Sequence, residues 1–225
     1  MTTPVWDLFV ALSLALVLGV VFLARQTAGL LTADRSPLDQ LSTSTLYLNV
    51  GVSHVLVLGL AGLLVWWTGV PASTIGIETV PPMGWLAGLT AVFVFFNEVA
   101  DPLARFSGNP ENPLRELLTP ENWIEWLVLA GVLLPVIAVT EELLFRGILI
   151  GAFGAGTPFP PLVLIVGSAV AFGQAHTAQG RLGVGVATVL GLGFGVVYYW
   201  SGSLWLVIGA HYLVDLVEFT RHARD

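Results

Sequence analysis

Seven apolar runs, separated by short polar or glycine- and proline-marked breaks, make up most of this chain. They lie at roughly 5–24, 46–69, 83–101, 126–153, 160–178, 183–200 and 204–220. Each approaches the ~20 residues that an α-helix needs to cross about 30 Å of hydrocarbon. None shows the apolar–polar alternation of a transmembrane β-strand. The pattern predicts an all-α polytopic membrane protein of about seven transmembrane helices, with residues 1–225 forming a single membrane domain. The fourth run follows Thr119-Pro120-Glu121-Asn122-Trp123, so its helix is expected to begin near 121 in the interface and then enter the bilayer. Pro135 is expected to kink that helix just before a pair of glutamates. Gly191 and Gly195 stand at small-xxx-small spacing, which allows close helix packing.

The arginines orient this pattern. Arg25 and Arg35 fall in the first connection, Arg105 and Arg115 in the third, Arg181 in the fifth, and Arg221 and Arg224 after the last run. The second, fourth and sixth connections have none. By the positive-inside rule this alternation predicts an external N-terminus and a cytoplasmic C-terminus. Trp66, Trp67, Trp85, Trp123, Trp126, Trp200 and Trp205 fall near run ends, as in an aromatic belt. The first run has Asp7 where a secretory signal carries positive charge, and it reads as a retained helix.

Composition narrows the class of function. Hydrophobic residues make up 56% and charged residues 10% of 225 positions, far from the soluble norm. The formal net charge of −7, with arginine the sole basic side chain beside histidine, argues against nucleic-acid binding. With no cysteine, a thiol nucleophile or thiolate metal site is excluded.

Against this background, Glu141, Glu142 and Arg146 stand out. A charge at the centre of a membrane helix costs roughly 2.5–3.5 kcal/mol even on insertion scales, so such groups face a protein interior or a water-filled cavity. Glu142 and Arg146 are i and i+4 and can pair on one face, whereas Glu141 is rotated about 100° away and is left free. His176 follows Phe172 by one turn, and His211 and Asp215 are again i and i+4. His54 is deep in the second run without a polar companion in sequence and reads as a packing residue. Asp7, Asn49 and Glu98, near run ends, read as interfacial.

A desolvated carboxylate beside an imidazole suits general-base activation of water, and a second imidazole with a polar neighbour suits an oxyanion. The same groups suit a divalent metal such as zinc, with Glu141, His176, His211 and Asp215 as candidate ligands. Both routes lead to amide hydrolysis. The chain has no Gly-x-Ser-x-Gly and no His-Glu-x-x-His.

At these residues the chain resembles the CPBP (Abi) intramembrane protease family, which includes the type II CAAX prenyl endopeptidases. Glu141-Glu142-Leu143-Leu144-Phe145-Arg146, Phe172-Gly173-Gln174-Ala175-His176 and His211-Tyr212-Leu213-Val214-Asp215 match its three successive motifs, within a family core of about 121–220. The resemblance implies a membrane endopeptidase acting at a site open to the cytoplasm on a membrane-tethered protein or peptide, a class that includes prenylated CAAX-type substrates. It implies a catalytic set of Glu141, Glu142, His176, His211 and Asp215, supported by Arg146 and Phe172. Glu141 and His176 would activate the water, and His211 and Asp215 would face the oxyanion. Family members are described both as glutamate-type and as metal-dependent, so the implied cofactor is either none or a metal such as zinc. CAAX-cleaving members usually carry Asn where Asp215 stands. The competing expectation is a non-catalytic membrane scaffold or bacteriocin-immunity protein that keeps the site architecture.

Overall fold

The computed structural model describes residues 4–31, 37–81, 83–106 and 113–222. Arg35 and Arg224, used above for orientation, lie outside the described residues, as do the side chains of Glu98 and Arg105. Among the described residues every regular element is helical. These are α1 (Trp6–Leu31), α2 (Thr43–Thr68), α3 (Met83–Phe106), the short α4 (Pro113–Leu118), α5 (Trp123–Gly156), α6 (Pro161–Ala175), α7 (Gly180–Ser201) and α8 (Leu204–His222).

Local chemistry sets the helix ends. Ser42 caps α2 by accepting from the Thr45 N–H at 3.2 Å. Asn122 caps α5 by accepting from Ile124 and Glu125 at 3.1 and 3.0 Å, and Glu125 Oε2 accepts from the Glu121 N–H at 2.8 Å. The helix start expected near 121 is therefore a side-chain cap at 122. Gly76 and Gly202 are left-handed, at φ 77° and 62°, and a Cβ on Gly76 would come within 2.8 Å of the Gly202 carbonyl oxygen.

Among the described residues, four helical stretches are long and apolar enough to cross a membrane: Trp6–Leu31, Thr43–Thr68, Trp123–Gly156 and Thr177–Ser201. Gly84–Phe96 and Pro161–Ala175 are apolar but shorter. The difference from the seven sequence runs has two visible causes. The fifth run does not reach 178 as one helix, because α6 ends at Ala175 and Thr177–Gln179 form a 3-10 turn. The last run carries Asp215, Glu218 and Arg221 within α8, which is too charged to qualify by composition.

Helix α5 runs through the middle of the bundle, touching α2, α6 and α8. It is not uniformly α-helical. The backbone widens into π-helical turns over Leu129–Leu133, just before Pro135, and again over Leu143–Ala152, just after the glutamate pair. Proline lacks the N–H that would close the preceding turn, which accounts for the first widening. Each widened stretch receives a hydroxyl from a neighbouring helix: Tyr212 donates to the Ala130 carbonyl at 3.2 Å and Ser168 to that of Phe145 at 2.5 Å.

Helices α6 and α7 form the closest pair. A Cβ on Gly191 would lie 3.2 Å from the Ala169 Cα, and one on Gly195 3.1 Å from Ile165. The small residues thus let two backbones approach. At one end of the bundle the Val5 N–H donates to the Thr68 carbonyl, and Trp205 Nε1 to that of Ile77. At the other end Arg25 donates to Gln174 at 2.7 Å and Arg115 pairs with Glu218 at 3.1 Å.

Candidate active site

The two adjacent glutamates of α5 meet different surroundings. Glu142 and Arg146 are fully buried, and Arg146 Nη1 donates to Glu142 Oε1 at 2.8 Å. The same oxygen accepts from His211 Nδ1 of α8 at 2.7 Å, so this ring nitrogen carries a proton. The guanidinium lies over Phe172 at 4.4 Å and Phe194 at 5.4 Å, and Nη2 points to the Gly191 carbonyl at 3.4 Å. Aromatic faces and a carbonyl thus meet much of the cation's remaining surface, while its Nε is buried without a hydrogen-bond partner. Helices α5, α6 and α7 meet at Arg146, and α8 joins them through His211 on Glu142.

Glu141, one residue earlier, turns away from that pair. Its Oε2 is buried without a hydrogen-bond partner, with His176 Nε2 at 3.9 Å and His211 Nε2 at 3.8 Å. These separations are too long for direct hydrogen bonds and short enough for one water to bridge. His176 sits at the C-cap of α6, and its Nδ1 donates to the Phe172 carbonyl at 2.8 Å. Because a carbonyl only accepts, Nδ1 holds the proton and Nε2 is the end presented to Glu141. His211 Nε2 also approaches Asp215 Oδ2, at 3.4 Å. The tertiary fold therefore brings Glu141, Glu142, His176, His211 and Asp215 together, with Arg146 and Phe172 packed behind them.

Two side chains of this cluster were not read from the sequence as site residues. His54 of α2, read there as a packer, has a polar companion after all: its Nε2 lies 3.7 Å from Glu141 Oε1. That companion is on another helix and could not be seen from spacing. The available signal was the bare presence of an ionisable group at membrane depth. Phe194 of α7 stacks on His211, with centroids 5.6 Å apart and planes 20° apart, and it had no distinguishing signal.

Nitrogen and carboxylate donors of this kind suit zinc chemically. Among the described residues, however, no three or more His, Asp or Glu groups are arranged so as to hold a metal ion. No step below runs through a metal. What the arrangement offers directly is a carboxylate oxygen facing two imidazoles across the width of a water, in a largely apolar bundle.

Residues 122–217 match the family model described as type II CAAX prenyl endopeptidase Rce1-like. The chain is also 34% identical, over 131 residues, to the Bacillus subtilis (strain 168) protein named "Uncharacterized protein YyaK". That similarity covers 55% of this chain and 42% of the relative, so the chain spans less than half of that protein's length. No solved structure matches. The matched segment runs from the cap of α5 to just past Asp215, so the likeness to the Rce1-like type II CAAX prenyl endopeptidases covers the three helices that carry Glu141, His176 and His211.

Proposed function

We propose that this protein is a membrane-embedded endopeptidase that hydrolyses a peptide bond of a membrane-tethered substrate by water activation at Glu141. The observation that carries the reading is the convergence of His176 Nε2 and His211 Nε2 on Glu141 Oε2, at 3.9 and 3.8 Å. A water held between Glu141 and His176 gives one proton to the carboxylate as its oxygen attacks the substrate carbonyl carbon. The carbonyl oxygen of the tetrahedral intermediate gains negative charge and is met from the His211–Asp215 side. The proton then passes from Glu141 to the leaving nitrogen, the C–N bond breaks, and a carboxylic acid and an amine result. Glu142 and Arg146 hold the His211 ring in place through its Nδ1–H.

A charged Asp215 would repel an oxyanion. In this mechanism His211 acts as the imidazolium: Nδ1–H stays on Glu142, the Asp215 carboxylate orients Nε2–H at 3.4 Å, and that Nε2–H donates to the oxyanion. An apolar groove between α2 and α5, lined by Val52, Val55, Leu56, Val128 and Val132, lies on the two helices that carry His54 and Glu141 and suits the lipid part of an anchored substrate. A prenylated C-terminal motif is the substrate class that the Rce1-like match favours.

The proposed topology is seven crossings with an external N-terminus and a cytoplasmic C-terminus. The contacts Arg25–Gln174 and Arg115–Glu218, which gather the first, third and fifth connections and the end of α8 at one side, support it. His176, next to Gln174, lies toward that side, so the site opens to the cytoplasm.

The test is cleavage of prenylated and unprenylated membrane-tethered peptides by purified protein in lipid nanodiscs. Glu141→Gln and His176→Ala are each expected to lower kcat by about 10²–10⁴-fold. Wild-type rates in both variants would refute the mechanism.

A further inference from the structure

We propose that His54 is a positioning residue of the same site, holding Oε1 of Glu141 so that Oε2 is the oxygen presented to the water. This rests on the reading of Glu141 as the base. Its source is outside the family-matched segment, since α2 precedes residue 122.

His54 and His176 are built alike on opposite sides of one carboxylate. Each donates Nδ1–H to the carbonyl four residues earlier on its own helix, Val50 and Phe172 respectively, at 2.8 Å. In both rings this places a proton on Nδ1 and turns Nε2 to Glu141, and His54 holds Oε1 as the imidazolium, whose Nε2–H faces that oxygen. His54 faces Oε1 at 3.7 Å and His176 faces Oε2 at 3.9 Å. The α2 backbone is itself tied to the glutamate's helix, because Thr140 Oγ1, next in sequence to Glu141, reaches the His54 carbonyl at 3.3 Å.

The physical need for such a partner is specific. The terminal torsion of a glutamate is broad and roughly two-fold, so packing alone leaves the carboxylate plane loosely defined. Glu141 Oε2 has no hydrogen-bond partner of its own to define it. An imidazole at Oε1 from one side, with two at Oε2 from the other, fixes the plane and separates the two oxygens by role. His54 has the most exposed ring of the three, at 25% against 17% for His176 and 7% for His211, so it borders the open side of the site.

The experiment uses full-length protein in micelles or nanodiscs and two substitutions. His54→Asn keeps an amide donor near the Nδ1 position and leaves nothing at the Nε2 position. His54→Gln carries an amide donor out to Nε2 and towards Oε1. His54→Asn is expected to lose about 10–100-fold in kcat, the usual cost of removing an orienting partner, with KM within about twofold. His54→Gln is expected to recover most of that loss. Equal losses in both variants, in step with equal falls in melting temperature, would reduce His54 to a packing residue. Wild-type kcat in His54→Asn would overturn the proposal outright.

A second measurement needs no substrate. In nitrogen-15 histidine spectra, with His54 assigned by its absence from His54→Asn, Glu141→Gln is expected to shift the His54 ring resonances. An unchanged His54 signal would refute the pairing. Wild-type protein inactive on every tethered peptide would instead overturn the protease reading and the catalytic part of this one. The spectra would then judge the pairing alone.

Discussion

Replacing Arg146 by methionine gives the sharpest test of how the site is held. The guanidinium is fully buried, bonded to Glu142 at 2.8 Å and seated over Phe172 at 4.4 Å. Methionine fills similar volume but leaves Glu142 buried with His211 as its remaining charged-group partner. Breaking a buried pair by removing one member costs about 3–5 kcal/mol, because the other charge stays desolvated. The lost cation–π contact adds to this, by up to about 2 kcal/mol in a desolvated setting. Against a total stability of about 5–15 kcal/mol for a folded domain, that is a large fraction. At about 2–4 °C per kcal/mol for a protein of this size, the melting temperature in micelles should fall by about 10 °C or more. The decisive comparison is Glu142→Leu together with Arg146→Met. With both charges gone, the double variant should be more stable than Arg146→Met alone, while its cleavage stays low because His211 has lost the acceptor at Nδ1. If the single variant shifts the melting temperature by under about 2 °C, or if the double variant falls by the sum of the singles, the pair is not the desolvated unit described here.

Further predictions follow from the packing. Gly191→Leu should lower both melting temperature and cleavage, since its Cβ would press on Ala169 and Phe172, whereas Gly167→Leu should do neither, because no atom lies within 4 Å of its Cβ; equal effects would remove the close-packing argument. Ser168→Ala takes away the hydroxyl that bonds the Phe145 carbonyl at 2.5 Å and should cost about 1 kcal/mol in denaturant unfolding; a neutral result would mean that the widened turn needs no external donor. Asp215→Asn should cleave at least as fast as wild type if the residue only orients His211, because the amide both accepts from the ring and donates towards the oxyanion. A drop of about 100-fold would show instead that the carboxylate charge is required.

The parts of the site that were legible in the sequence are those governed by a single helix. Glu142 with Arg146, and His211 with Asp215, share faces because i and i+4 positions overlap at 3.6 residues per turn. The freedom of Glu141 follows from the same geometry, since adjacent residues diverge by about 100°. His54 was not legible in this way. Its partner lies on α5, and nothing in α2 alone distinguishes a packing histidine from one that faces a carboxylate. Phe194 was hidden for the same reason. Helix ends were partly legible: the α5 cap at Asn122 was close to its expected place, but the stop of α6 at Ala175 was not, because apolar residues continue past it into a turn.

By itself, then, the sequence determined an all-helical, membrane-suited chain and three motif helices with their charged faces. These follow from hydrophobic run length, from the charge that lipid rejects and from helical periodicity, all of which act over a few residues. Only the tertiary structure decided which oxygen of which glutamate meets which imidazole. Those choices depend on how closely α6 approaches α7 at Gly191, on the widened turns of α5, and on α2 bringing His54 to Glu141, and each is a contact between segments far apart in the chain.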